Sequence, residues 1–229
     1  MKNLKFLILF LISGFLIFDF AEAAPCYGTK MPEKNKFFAG LQNYSIYKRD
    51  LKDDNGKLRS LQDFVTVSYG VFDWLSIDLK GGAGDIKQHP ENSGEMRYNT
   101  GFAGGYGFRV RLLDKNRIKS VFGFQHISVH PASRESAGVK NQAILDDWQA
   151  SLLASYKFDF ATPYIGTRWS RVDYIHKVNG DRKRVMSDLG KSVGLIVGID
   201  VPLNKKIWLN LEGSFFDSSA LAFGLNYAF

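Results

Sequence analysis

The chain carries one cysteine among its 229 residues, and beyond Phe18 it has no unbroken apolar stretch of bilayer-spanning length. The lone Cys26 excludes an intramolecular disulfide and any Cys-based metal motif. The lack of long apolar runs excludes a helical membrane protein, because a spanning helix needs about 20 consecutive apolar residues. A glycine-rich nucleotide loop is also missing, and no repeat exceeds a hairpin. These absences leave no glycine-loop nucleotide site and no solenoid repeat in the sequence.

What is present begins at the amino end. Lys2 and Lys5 precede an apolar run over residues 6–18, and Ala21-Glu22-Ala23 supplies a small-x-small cleavage pattern. That arrangement predicts a secretory signal over residues 1–23, removed after Ala23. A retained helix fits poorly, since the run is broken by Ser13 and Gly14 and ends at Asp19. Cys26 lies just past the cut, where acylation would require it. However, Ala23-Ala24-Pro25 departs from the usual small-residue box, and a proline adjoins the cysteine. Residues 24–36 are expected to form a short amino-terminal segment on the periplasmic side. The formal charge is +7, which suits a surface carrying phosphate-rich lipid, while export argues against nucleic acid as a partner.

The carboxyl end has the clearest pattern. From Ala220 to Phe229 the large side chains Leu221, Phe223, Leu225, Tyr227 and Phe229 alternate with Ala, Gly or Asn. A strand with that pattern has one face fit for lipid and one for a crowded interior. Ten such segments are expected, near residues 37–48, 61–72, 74–83, 99–112, 118–129, 148–158, 164–176, 191–201, 206–216 and 220–229. Long connections follow odd strands and tight turns follow even ones, which gathers the long loops on one rim. A soluble β-sandwich shares the period, but Gly, Ala and charges opposite the bulky face could not fill its core.

Tyr227 and Phe229 match the carboxyl-terminal strand of Gram-negative outer-membrane barrels, and the chain resembles that class. The resemblance implies an all-β, transmembrane, antiparallel up-and-down barrel over residues 37–229, with ten strands, or eight if the first two prove shorter or displaced. It also implies an outer-membrane location, extracellular loops and periplasmic termini. The partners implied are outer-membrane lipids, lipopolysaccharide and the barrel-assembly machinery, for which Tyr227 and Phe229 look like the recognition signal.

With the apolar stripes toward lipid, the interior receives Asp78, Lys80, Arg109, Arg111, Lys157, Asp200, Asn210 and Glu212, with Arg168 less firmly assigned. A barrel of eight to ten strands has room for little beyond its own side chains, so these groups are expected to pair rather than line a wide channel. On the outside, the loop cations Lys177, Arg182, Lys183 and Arg184, with His176 nearby, could bind phosphate oxygens. Arg49, Lys52 and Lys57 are cations on another loop. The tips Asn55-Gly56 and Asn179-Gly180 read as turn chemistry.

One constellation could carry chemistry. His126 and Ser128 stand two apart on the face of Phe122 and Phe124, which should meet lipid. A histidine that accepts a serine proton generates a nucleophile when a third group holds the imidazole. Outer-membrane phospholipases and lipid A deacylases carry a His-x-Ser pair on such a strand, and this segment is similar to theirs at those two positions. Val129 stands where those enzymes commonly have Asn, and Glu135, Asn141 and Asp146 are all open as the orienting residue. His126 and His130 lie about 13 Å apart along an extended strand, too far to share one ion directly. No metal and no cofactor is expected. The reading is a non-enzymatic barrel with a structural, surface-binding or narrow-pore role, and the alternative is a lipid hydrolase using His126 and Ser128.

Overall fold

The computed structural model describes residues 25–136 and 138–229, so the expected signal segment over residues 1–23 lies outside the described residues. The described chain forms β1 (Phe37–Asp50), β2 (Lys57–Phe72), β3 (Leu75–His89), β4 (Met96–Lys115), β5 (Ile118–His130), β6 (Arg134–Ser136), β7 (Val139–Tyr156), β8 (Thr162–Val178), β9 (Asp181–Met186), β10 (Val193–Pro202), β11 (Ile207–Phe215) and β12 (Ser219–Ala228). Ten of these close into an antiparallel barrel. β1 pairs with β2 on one side and with β12 on the other, from Phe38↔Ala228 to Lys48↔Ser219. The ring is completed through β5–β7, β7–β8 and β8–β10. β6 and β9 stand outside it as short additions along β7 and β8.

The alternation read from the sequence is visible strand by strand. In β2, Ser60, Gln62, Phe64, Thr66 and Ser68 point in while Leu61, Val65 and Val67 point out. In β3, Ser76, Asp78 and Lys80 are buried while Ile77 and Leu79 are exposed. The outward apolar positions form a continuous belt that includes Leu41 at 60% exposure, Phe102 at 66% and Val193 at 61%. Exposed apolar surface on this scale marks contact with lipid. Aromatic pairs at the short-turn rim, Phe37 with Tyr69 (4.6 Å), Phe72 with Trp74 (5.4 Å) and Tyr227 with Phe229 (4.9 Å), supply an interfacial girdle.

Two expected loops are hairpins. Residues 130–145 were expected as a loop, but β7 starts at Val139 and pairs with β8 from Asn141↔Val178 onward. The basic stretch 177–188 contains β9, joined to β8 by Asn179 and Gly180 at φ 48° and 96°, the left-handed pair that closes a two-residue hairpin. Strands that rise above the hydrocarbon need no apolar face, so their polarity hides them from a period-two reading. Phe158, expected at a strand end, lies in the β7–β8 turn.

The lumen is filled in tiers. Toward the long-loop rim, Tyr44, Leu58, Ile86, Tyr98, Ile127, Leu145 and Tyr174 pack into an apolar core. Buried polar and charged side chains occupy the middle. The remaining space holds residues 25–31 of the amino-terminal segment expected over residues 24–36, which run through the lumen before the chain emerges at the short-turn rim and enters β1. Cys26, Thr29 and Met31 are buried there. The Cys26 amide donates to Glu212 Oε1 at 2.6 Å, and Thr29 Oγ1 donates to Ser155 Oγ at 2.7 Å. The inward polar groups of a narrow barrel require partners, and this backbone supplies them. Gly28 turns at φ +66° directly against the Asp200 carboxylate, where a side chain would be both strained and crowded.

Candidate functional site

Register on the outer wall brings His126 opposite Tyr106 and Trp148, and Ser128 opposite Gly104 and Asp146. The His126 ring stacks on Trp148 at 4.0 Å and leans on Tyr106 at 5.4 Å. Ser128 Oγ donates to Asp146 Oδ1 at 2.5 Å and lies 2.8 Å from His130 Nε2. His126 Nε2 stands 3.7 Å from the same Asp146 oxygen. Asp146 is therefore the carboxylate that joins the cluster. Glu135 lies in β6, opposite Lys140, and Asn141 hydrogen-bonds His176 at 3.2 Å.

The order along the cluster is His126, Asp146, Ser128, His130, which differs from a serine whose proton passes to a carboxylate-held histidine. A hydroxyl has one proton. With Asp146 accepting it, His130 can meet Ser128 Oγ only as a donor, and its Nε2 is then unavailable as a base. Ser128, expected to pair with His126, instead meets the imidazole of His130. Among the described residues no three His, Cys, Asp or Glu side chains are grouped to hold a metal ion.

Inside the barrel, Asp78 accepts Arg109 Nε at 2.9 Å and Nη2 at 2.7 Å. The same guanidinium donates to the carbonyls of Tyr27 and Lys30 at 3.1 and 2.7 Å. Lys80 Nζ donates to Gln42 and Gln125 at 3.1 Å each and sits 4.3 Å from the Tyr27 ring centroid. Gln125 continues to the Pro25 carbonyl and to Gln149, which reaches Asp147. Glu212 accepts Tyr164 Oη at 2.7 Å, and Asn210 links Tyr164 to Asp200. Arg168, fully buried, donates to both Asp217 oxygens at 2.8 and 2.9 Å, and Arg49 reaches Asp217 at 3.2 Å.

Two residues expected in this network stand apart from it. Arg111 pairs with Asp114 at 3.3 Å, and Lys157 is exposed at the short-turn rim. Both lie near strand ends, beyond the closed part of the lumen. Gln125, Gln149, Asp147, Arg49 and Asp217 were missed. Alternation could have found Gln125 and Gln149, while Asp147 lay ahead of the strand expected from residue 148, Asp217 was hidden in a turn and Arg49 beside a register shift in β1.

On the loop rim, the β8–β9 register pairs Lys177 with Arg182, Ile175 with Arg184 and His176 with Lys183. Lys177, Arg182 and Arg184 thus share one face and Lys183 points to the other, so the four cations do not converge. Arg184 is paired with Asp173. Arg49 is buried rather than presented on a loop, and Lys52 and Lys57 border an open hollow of about 720 Å³ together with Asp50, Asp188 and Lys191. The hydrogen bond to Asp50 holds the Lys191 ammonium above its ordinary range.

Residues 123–195 match the family described as Chlamydia major outer membrane protein, a span that includes most of β5, all of β7 to β9 and the Ser128 cluster. Over 61 residues the chain is 36% identical to the major outer membrane porin, serovar C, of Chlamydia trachomatis, and 38% identical to the major outer membrane porin of Chlamydia muridarum. Each match takes in 26% of this chain and 15% of the relative. Among solved structures, an outer membrane channel from Pseudomonas putida F1 aligns with 91% of this chain and all of its own at a TM-score of 0.48 and 10% identity. The translocator domain of an autotransporter from Neisseria meningitidis aligns with 100% of this chain and 96% of its own at 0.47 and 12%. With its closed ten-stranded wall and apolar belt, this chain is a small outer-membrane β-barrel protein, similar over about a third of its length to the Chlamydia major outer membrane protein family and spanning about 15% of the curated relatives it matches.

Proposed function

We propose that this barrel works at its surfaces, in a structural or surface-binding role, and does not carry solutes through its lumen. The observation that carries this reading is the filling of the interior: apolar side chains toward one rim, paired charges in the middle, and residues 25–31 in the rest. The cavities left beside Cys26 and Tyr27 are about 10 and 20 Å³, room for about one water each. The matched relatives are named porins, but the match spans too little of them to bring a pore with it. The surfaces offered are the lipid-facing wall and the loop rim, and the partners that suit them are outer-membrane lipids and lipopolysaccharide. The loops are read as extracellular and the termini as periplasmic. In planar bilayers the refolded barrel should give no single-channel steps, and discrete steps would overturn the reading.

A second reading rests on one observation, the convergence of Ser128, His130, Asp146 and His126 at the level of Trp148. If the Ser128 proton shifted from Asp146 to a histidine, the oxygen could attack the carbonyl carbon of an acyl ester in the adjoining leaflet, the alcohol leaving with that proton and water then releasing the fatty acid from Ser128. Fatty-acid release that vanishes in both Ser128→Ala and His130→Ala would support hydrolysis, and release equal to that of the variants would rule it out.

A further inference from the structure

At the short-turn rim a cleft of about 300 Å³ opens between the lumen segment, the start of β5, the β7–β8 turn and the β10–β11 turn. Four lysines line it, Lys30, Lys119, Lys157 and Lys205, against Asp159 and Asp200. Asp159 is exposed and paired with Arg117 at 3.3 Å, while Asp200 is buried on the inner side, where Oδ1 accepts from Asn210 at 2.8 Å and Oδ2 has no hydrogen-bond partner among the described residues. Lys119 pairs with Asp114 at 3.1 Å. Lys157 and Lys205 are exposed and have no ion-pair partner among the described residues.

Lys30 is held in place rather than left to solvent. Its ammonium lies 3.6 Å from the Trp208 ring centroid and 5.8 Å from that of Phe38, a cation–π contact that fixes its charge at the cleft wall. Like charges facing one cavity are mutually destabilising until an anion joins them. Thr29 and Ser155 add hydroxyls to the same wall.

From this geometry we infer a binding site for a phosphate-bearing anion, with Lys157 and Lys205 at its mouth and Lys30 on its inner wall. Several ammonium groups around one pocket suit a phosphate, whose oxygens accept several charge-assisted hydrogen bonds at once. The cleft adjoins the exposed rings of Phe158 and Phe160, so the phosphate could belong to a small solute or to a lipid headgroup at the interface.

The test uses the refolded full barrel with Lys157→Gln and Lys205→Gln combined. Lys34→Gln with Lys36→Gln, exposed ahead of β1 and outside both the cleft and the loop rim, is the charge-matched control, and heat-modifiable gel mobility reports folding. One arm titrates inorganic phosphate and glycerol phosphate by calorimetry. The other compares lipid retained from phosphatidylglycerol and phosphatidylcholine nanodiscs by native mass spectrometry. The expected result is binding in one arm that weakens at least tenfold in the Lys157/Lys205 variant and stays unchanged in the control. Loss in the first arm identifies a soluble phosphate, and loss confined to the second identifies a lipid headgroup. Absence of binding in both arms, or equal binding in the folded Lys157/Lys205 variant, would overturn the site.

Discussion

At the scale of single residues, the buried charges set what the barrel tolerates. Arg168 and Asp217 are both fully enclosed, and Arg49 shares the same carboxylate. Removing one member of such a pair leaves an uncompensated charge out of reach of water. Asp217→Ala should therefore destabilise the barrel by about 3–5 kcal/mol, read as a lower urea midpoint for unfolding in lipid vesicles. On the loop rim Glu95 is paired with Arg59 and Arg97, and these hydrogen bonds hold its carboxyl below the ordinary range. A carboxyl depressed by folding contributes stability that is full above its unfolded value and is lost as pH falls through the folded one. The β2-to-β4 loop contact should accordingly persist at pH values where a free glutamate is already protonated. Carboxyl chemical shifts of Glu95 against pH would check this, and titration at the ordinary value would refute it. At residue scale the Ser128 cluster was only half legible. His126 and Ser128 could be read as sharing a face, but Asp146 fell outside the strand expected to begin at 148, so its place beside Ser128 depended on pairing that extends beyond the membrane belt.

At the scale of elements, the amino-terminal segment and the last strand carry opposite lessons. The final strand was legible because lipid on one side and a crowded lumen on the other impose strict alternation. Phe229 ends it, with its amide bonded to the Phe37 carbonyl at 3.1 Å. Deleting Phe229 should sharply reduce the amount of assembled barrel, scored by heat-modifiable mobility, and wild-type amounts would remove its role as an assembly signal. Residues 25–31 show no such pattern, since their partners are scattered around the ring at Arg109, Gln125, Ser155 and Glu212. Their loss should expose Arg109, Lys80 and Glu212 to an open lumen. The expected outcome is a lower unfolding midpoint together with the appearance of discrete conductance steps in planar bilayers. A deletion variant that folds and stays electrically silent would show that the inward side chains close the tube without the segment.

At the scale of the whole molecule, the barrel is a lipid-compatible wall around a packed interior, and the silence expected of the intact protein in bilayers follows from that interior rather than from the strand count. Period-two alternation was enough to decide an all-β wall, to favour ten strands over eight and to mark the outward apolar stripes, because each residue's environment there depends on its immediate neighbours along the strand. Only the folded ring decided which inward charges meet, which imidazole reaches Ser128, that residues 25–31 fill the lumen and that Lys30, Lys157 and Lys205 border one cleft. Those outcomes depend on register between strands and on contacts between segments more than a hundred residues apart, such as the Cys26 amide with Glu212, and no local periodicity carries that information.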